Sequence, residues 1–169
     1  MKYRINVVLC SFLFISPILA ADSINEKNWM THPQIVKIRG IVQEIDASID
    51  KNRFDVKTKQ YDLNESPDDD HLRTVYFDSK QIIRKYIRET GSDDSSVTLT
   101  HYYDSGKVLR FLYIKAGAVN GTSVEYRIYF DESGKKIWEI KKQLKGPGYT
   151  FPSVWPDDQI LFDPARLPL

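Results

Sequence analysis

The chain is predicted to be α+β: an N-terminal amphipathic helix packed on a curved antiparallel sheet of about six to seven strands. The sheet is built from three tandem β-hairpins, and an irregular proline-rich C-terminal segment follows it. Three observations carry this prediction. A single stripe of isoleucine and valine recurs at helical spacing between Thr31 and Asp50. A Thr/Arg-x-Tyr-aromatic-Asp pattern returns three times at a near-constant spacing of about 26 residues. Five of the 8 prolines fall in the last 26 residues.

The N-terminus reads as an address. Lys2 and Arg4 precede a nearly continuous apolar run from Ile5 to Leu19, and small Ala20 and Ala21 then give way to polar sequence. Charged start, apolar core and small-residue end are the order of a secretory signal peptide, assigned here to residues 1–21. The run is short for a membrane span and Pro17 breaks it, which disfavours a retained anchor. Leucine before Cys10 disfavours a lipoprotein. The chain has 169 residues, a formal charge of +1 and a single cysteine, Cys10. Cleavage removes that cysteine and leaves the acidic residues one ahead of the basic ones. The expected product is one α+β domain over 22–169, free of thiols, soluble, without a second apolar span, and exported. The bacterial periplasm is favoured, although Asn64-Glu-Ser66 and Asn120-Gly-Thr122 fit the glycosylation sequon of a eukaryotic host.

Residues of about 32–50 are expected to form the helix. Ile35, Ile38, Val42, Ile45 and Ile49 share one stripe. Thr31 is a candidate N-cap and Pro33 suits the first turn. Gly40 weakens a helix and suggests the close approach of another element. Phe54, Val56 and Thr58 then alternate with charged residues as in a half-buried strand, and Asn64 to Asp70 is an acidic, turn-rich break.

The hairpin repeats occupy about 71–142. Their turn aspartates are Asp78, Asp104 and Asp131, each followed closely by lysine, and two copies have glycine (Gly106, Gly134) in the turn. Glycine supplies the positive φ that hairpin turns need, so the first copy, which lacks it, is expected to turn differently. Consecutive hairpins predict an antiparallel meander. Val108 to Ile114 is apolar on both faces apart from Arg110 and reads as a central strand. Lys141 and Lys142 mark an edge. Alternation sorts the side chains into two faces. One carries Val75, Phe77, His101, Tyr103, Ile128 and Phe130; the other carries Thr74, Tyr76, Thr100, Tyr102, Arg127 and Tyr129. Across the tail, 144–169, Tyr149, Phe151, Trp155 and Phe162 indicate packing across the domain.

Near-neutral charge excludes general nucleic-acid binding. No Gly-x-Ser-x-Gly, zinc or calcium spacing or phosphate loop is present, and no cofactor or metal is expected. His71 beside Asp68-Asp-Asp70 reads as a solvated acidic loop. The leading expectation is a non-catalytic binding module for a protein partner or cell-envelope ligand. Tyr76, Tyr102, Tyr129 and Arg127 would make contact, because tyrosine offers rigid area with a polar tip. Asn120 would stand on the rim. One alternative is a small hydrolase or isomerase using His101, a titratable group where the sister copies have Val75 and Ile128. Another is a structural, oligomerising envelope protein.

Overall fold

The computed structural model describes residues 23–62 and 70–151. The expected signal peptide, the acidic break apart from Asp70, and the tail from 152 onward lie outside them. The elements are helix α1 (Pro33–Asp50) and strands β1 (Asp55–Gln60), β2 (Asp70–Phe77), β3 (Ile83–Ser92), β4 (Ser95–Tyr103), β5 (Leu109–Ala118), β6 (Ser123–Phe130) and β7 (Lys136–Lys145). The strands form one sheet in the order β1-β2-β3-β4-β5-β6-β7, and every neighbouring pair is antiparallel. The meander, the interior place of β5 and the edge place of β7 match the pattern of the sequence. β1 is the other edge. It is largely exposed, with Val56 56% accessible, rather than half-buried. β2 begins at Asp70, so His71 sits on a strand and not in the acidic break.

The three repeat turns are built alike, and a carboxylate organises each. Asp78 Oδ1 accepts from the amides of Lys80 and Ile82, Asp104 Oδ1 from Gly106 and Val108, and Asp131 Oδ1 from Ser133 and Lys135, all at 2.8–3.0 Å. In each copy the backbone also closes between the aspartate and the residues three and four places on. This is a type I turn ended by one left-handed residue and a bulge. The left-handed residues are Gln81 (φ 59°), Lys107 (φ 66°) and Gly134 (φ 81°). The first copy therefore does not turn differently. In the second copy the strained position belongs to Lys107 and not to Gly106. The carboxylate holds the turn so well that only one of the three copies has glycine where glycine is favoured.

The bulge that follows each turn turns one side chain toward the helix side of the sheet: Arg84, Arg110 and Ile137. The two arginines do the same work. Arg84 Nε donates to the Tyr103 carbonyl and Arg110 Nε to the Phe130 carbonyl, each at 3.2 Å. Arg84 Nη1 lies 3.5 Å from Asp78 Oδ2, and Arg110 Nη1 lies 3.0 Å from Asp104 Oδ2. Each arginine thus ties its own turn to the last residue before the next one. In the third copy Ile137 packs apolarly instead.

Helix α1 starts one residue later than its candidate cap. His32, not Thr31, is the N-cap: its Nδ1 accepts from the Gln34 amide at 3.3 Å, and Pro33 opens the first turn. Ile35, Ile38 and Ile45 are fully buried, as the stripe predicts, with Val42 and Ile49 beside them half-buried. Gly40 faces open space, with nothing near the place of a Cβ, so no close approach explains it.

The helix packs on the face that carries the tyrosines. Ile35 and Ile38 form a cluster with Tyr129, against which Trp29, Phe111, Ile137, Trp138 and Ile140 pack. The opposite face holds the larger core: Val75, Tyr86, Leu99, Leu112, Ile114, Tyr126, Ile128 and Phe130, with Tyr103 and Phe151. Two arginines, Arg73 and Arg88, are cross-strand partners and buried.

Three tests follow from this geometry. Asp131→Ala removes only turn caps and is expected to cost about 1 kcal/mol, whereas Asp104→Ala also strands buried Arg110 and costs about 3 kcal/mol. Chemical denaturation of both variants measures the difference, and equal losses would dissolve the arginine clamp. Gly40→Ala gains about 1 kcal/mol in the same assay. Gln81→Gly and Lys107→Gly gain about 0.5–1 kcal/mol each by relieving left-handed strain.

Candidate functional site

One rung of side chains crosses the whole sheet beneath the helix. Cross-strand register places Val56, Tyr76, Lys85, Tyr102, Phe111, Tyr129 and Trp138 side by side. The repeat thus puts all three tyrosines in one line, with one intervening strand between each pair. Lys85 Nζ lies between two of them, 6.0 Å from the Tyr76 ring and 4.8 Å from the Tyr102 ring. Tyr102 and Phe111 are 5.8 Å apart by ring centre, Phe111 and Tyr129 4.9 Å, and Trp29 approaches Tyr129 to 6.4 Å.

The helix covers the middle of this rung. Tyr102 is 7% exposed and Tyr129 4%, while Tyr76 is half-buried. As an open contact surface, then, the tyrosine row is not what the repeat suggests. Its first role is to seat α1. Asp46 of the helix is the anchor: Lys85 Nζ donates to its Oδ1 at 2.7 Å, and the Tyr102 hydroxyl lies 3.2 and 3.3 Å from its two oxygens. Burial works against the charged lysine, but the bonds to Asp46 and Tyr102 outweigh it and hold the ammonium above its ordinary pKa. Burial also raises the Tyr102 phenol.

A cleft of about 260 Å³ remains between α1 and the sheet, over β5 and β6. Arg39, Val42 and Gln43 form its helix wall; Phe111, Tyr113, Arg127 and Tyr129 form the sheet side. Two of the residues expected at a binding site, Arg127 and Tyr129, therefore meet here. Glu125 sits behind the cleft wall and organises it. It accepts from the Tyr113 hydroxyl at 3.0 Å and pairs with Arg127 Nη2 at 2.9 Å. Burial lifts the Tyr129 phenol, and the guanidinium charges of Arg127 and Arg39 oppose that shift. Both cations thus act on the same phenol. Burial and the Glu125 bond raise Tyr113. An apolar, aromatic floor under two guanidinium groups suits an anionic group joined to an apolar body.

Asn120 is elsewhere. Its Oδ1 accepts from the Thr122 amide at 2.9 Å, and its Nδ2 donates to the Gly148 carbonyl at 3.0 Å, so it clasps the chain that follows β7. His101 lies on the opposite face with no exposure, its ring 5.5 Å from Tyr86 and 6.4 Å from Tyr103, opposite Leu112. It belongs to the core and opens onto neither the cleft nor solvent. Among the described residues no group of three metal-ligating side chains occurs, and no helix is long and apolar enough to cross a membrane.

Comparison with protein-family models, with curated proteins and with solved structures finds no match to this chain. Asp46, Lys85, Arg39 and Glu125 belong to none of the repeated patterns in the sequence. Only Asp46 offered a signal, as an acid beside the inward stripe residue Ile45.

The anchor has a defined pH dependence. A lysine or phenol whose folded pKa is raised contributes stability below its unfolded value, near 10, and loses it as pH climbs through the folded value. Melting temperature against pH should therefore fall above about pH 10. Asp46→Asn should fall less steeply there. At pH 8 it should be less stable by about 1–2 kcal/mol, a figure kept low because Asp46 is partly open to solvent. Parallel melting curves that keep one constant offset would remove Asp46 from this role.

Proposed function

We propose that the protein is an exported, non-catalytic binding module and that its site is the cleft between α1 and the sheet. The observation that carries this is the convergence of Arg39 and Arg127 over the aromatic floor of Phe111 and Tyr129. The two tyrosine-row positions under the helix, Tyr102 and Tyr129, contribute by seating α1 and flooring the cleft rather than by presenting an open face.

At about 260 Å³ the cleft is below the size of drug-sized pockets, so it takes one residue-sized group. The group is a carboxylate on a small apolar or aromatic body. A free envelope metabolite and the acidic end of a partner chain share this chemistry. Export rests on the charge, apolar run and small-residue junction of residues 1–21.

Phenylacetate and octanoate are suitable probes, with phenylethanol and octanol as uncharged controls. The carboxylates should shift the amide resonances of Tyr113, Arg127 and Tyr129, and the alcohols should not. Arg39→Gln with Arg127→Gln should weaken carboxylate binding at least tenfold, about 1.4 kcal/mol, while the melting curve stays cooperative. A peptide ending in phenylalanine, compared with its amide, separates the partner-chain source from the metabolite. Carboxylates that leave the cleft resonances unmoved overturn this placement of the site. For export, the protein isolated from the cell envelope should begin near Asp22. Retention of Met1 in the cytoplasm would refute it.

A further inference from the structure

The sheet has two covered faces, and the helix accounts for only one. On the face opposite α1, Val75, Tyr86, Leu99, Leu112, Ile114, Tyr126 and Ile128 have no accessible surface. A single sheet does not hide its own face, and here β1 and β7 lie at opposite edges instead of closing a barrel. A second layer is required.

The chain's path after β7 points to that layer. At Gly146 (φ 85°) the chain turns back so tightly that a Cβ would lie 2.4 Å from the Thr122 Cα. It then crosses the end of the sheet in the direction of earlier strands. Gly148 donates to Thr122 Oγ1 at 3.1 Å, and Asn120 holds the Gly148 carbonyl. The Tyr149 hydroxyl donates to Asp94 in the β3–β4 turn at 2.9 Å. Phe151, the next ring, stands 4.6 Å from Tyr149 and is buried in the core of the face opposite α1. The chain therefore enters that face at Phe151.

We infer that this face is the docking surface for the chain's own residues 152–169. Eighteen residues reach up to ~60 Å, and seven strands are only ~29 Å wide. The segment carries Trp155, Ile160, Leu161 and Phe162 for an apolar face. The inference is independent of the cleft.

Two measurements on the full chain test it. Trp155→Ala with Phe162→Ala should lower the melting temperature by about 10 °C or more, since both rings leave a core. A nitroxide on Gln159→Cys, with Cys10→Ser wherever Cys10 is retained, should broaden the amides of Leu99, Leu112 and Ile128 within the same molecule. An unchanged melting temperature overturns the inference. So does melting loss without that broadening, which would place the segment elsewhere. Broadening seen only on an unlabelled copy in a mixed sample would make a second copy the occupant, and would equally overturn it.

Discussion

The turn aspartate is the constraint on which the rest of the structure depends. One carboxylate oxygen holds two amides in each repeat, at Asp78, Asp104 and Asp131, and this pins a bulge at the same place in every hairpin. A one-residue slip in pairing would exchange the two faces of the sheet. The bulge prevents this slip, because it allows one register only. That register lines up Tyr76, Tyr102 and Tyr129 on one face and Val75, His101 and Ile128 on the other.

With the faces fixed, the two sides solve different problems. The side opposite the helix is large and mainly apolar, with Arg73, Arg88 and His101 buried in it. The helix side is mixed, and its polar groups are used. Asp46, Lys85 and Tyr102 make a charged bond beneath the helix, while Ile35 and Ile38 bury themselves against Tyr129. The helix is also pinned at its flanks: Lys37 pairs with Glu132 of the third turn, and Glu44 stands 3.8 Å from Arg84. These contacts tie α1 to the turn end of the sheet. The cleft lies between α1 and the sheet, with Arg39 on its helix wall and Arg127 on the sheet side.

What was legible in the sequence was what is periodic. The isoleucine stripe and the recurring aspartates are local patterns, and they gave the helix, the strand count and the division into faces. Which face the helix would choose was not legible. A row of tyrosines looks like an exposed, mixed surface until a partner for each hydroxyl is known, and Asp46 is remote from Tyr102 in the chain. The turns differ from their sequence pattern for a related reason. Gly106 drew attention as the turn glycine, yet the left-handed place falls on Lys107, because side-chain capping by Asp104 overrides the local preference. Arg110 stood out as a polar break in a central strand, but its meaning depends on a bulge and on the Phe130 carbonyl of the next strand. Of the candidate site, Arg127 and Tyr129 came from the repeat. Arg39 and Glu125 entered only through three-dimensional proximity.

The strictly sequential order of the sheet has a kinetic consequence. Every strand pairs with its neighbours in the chain, so each pairing closes a short loop and none waits for a distant partner. The sheet can grow from any of its three turns, one hairpin at a time. The helix is the exception. It is made first, but its seat is built from β3 to β7, so its apolar stripe has no cover until most of the chain has been made. Assembly is thus local within the sheet and late for the helix, and the step that docks α1 is the one that completes the cleft.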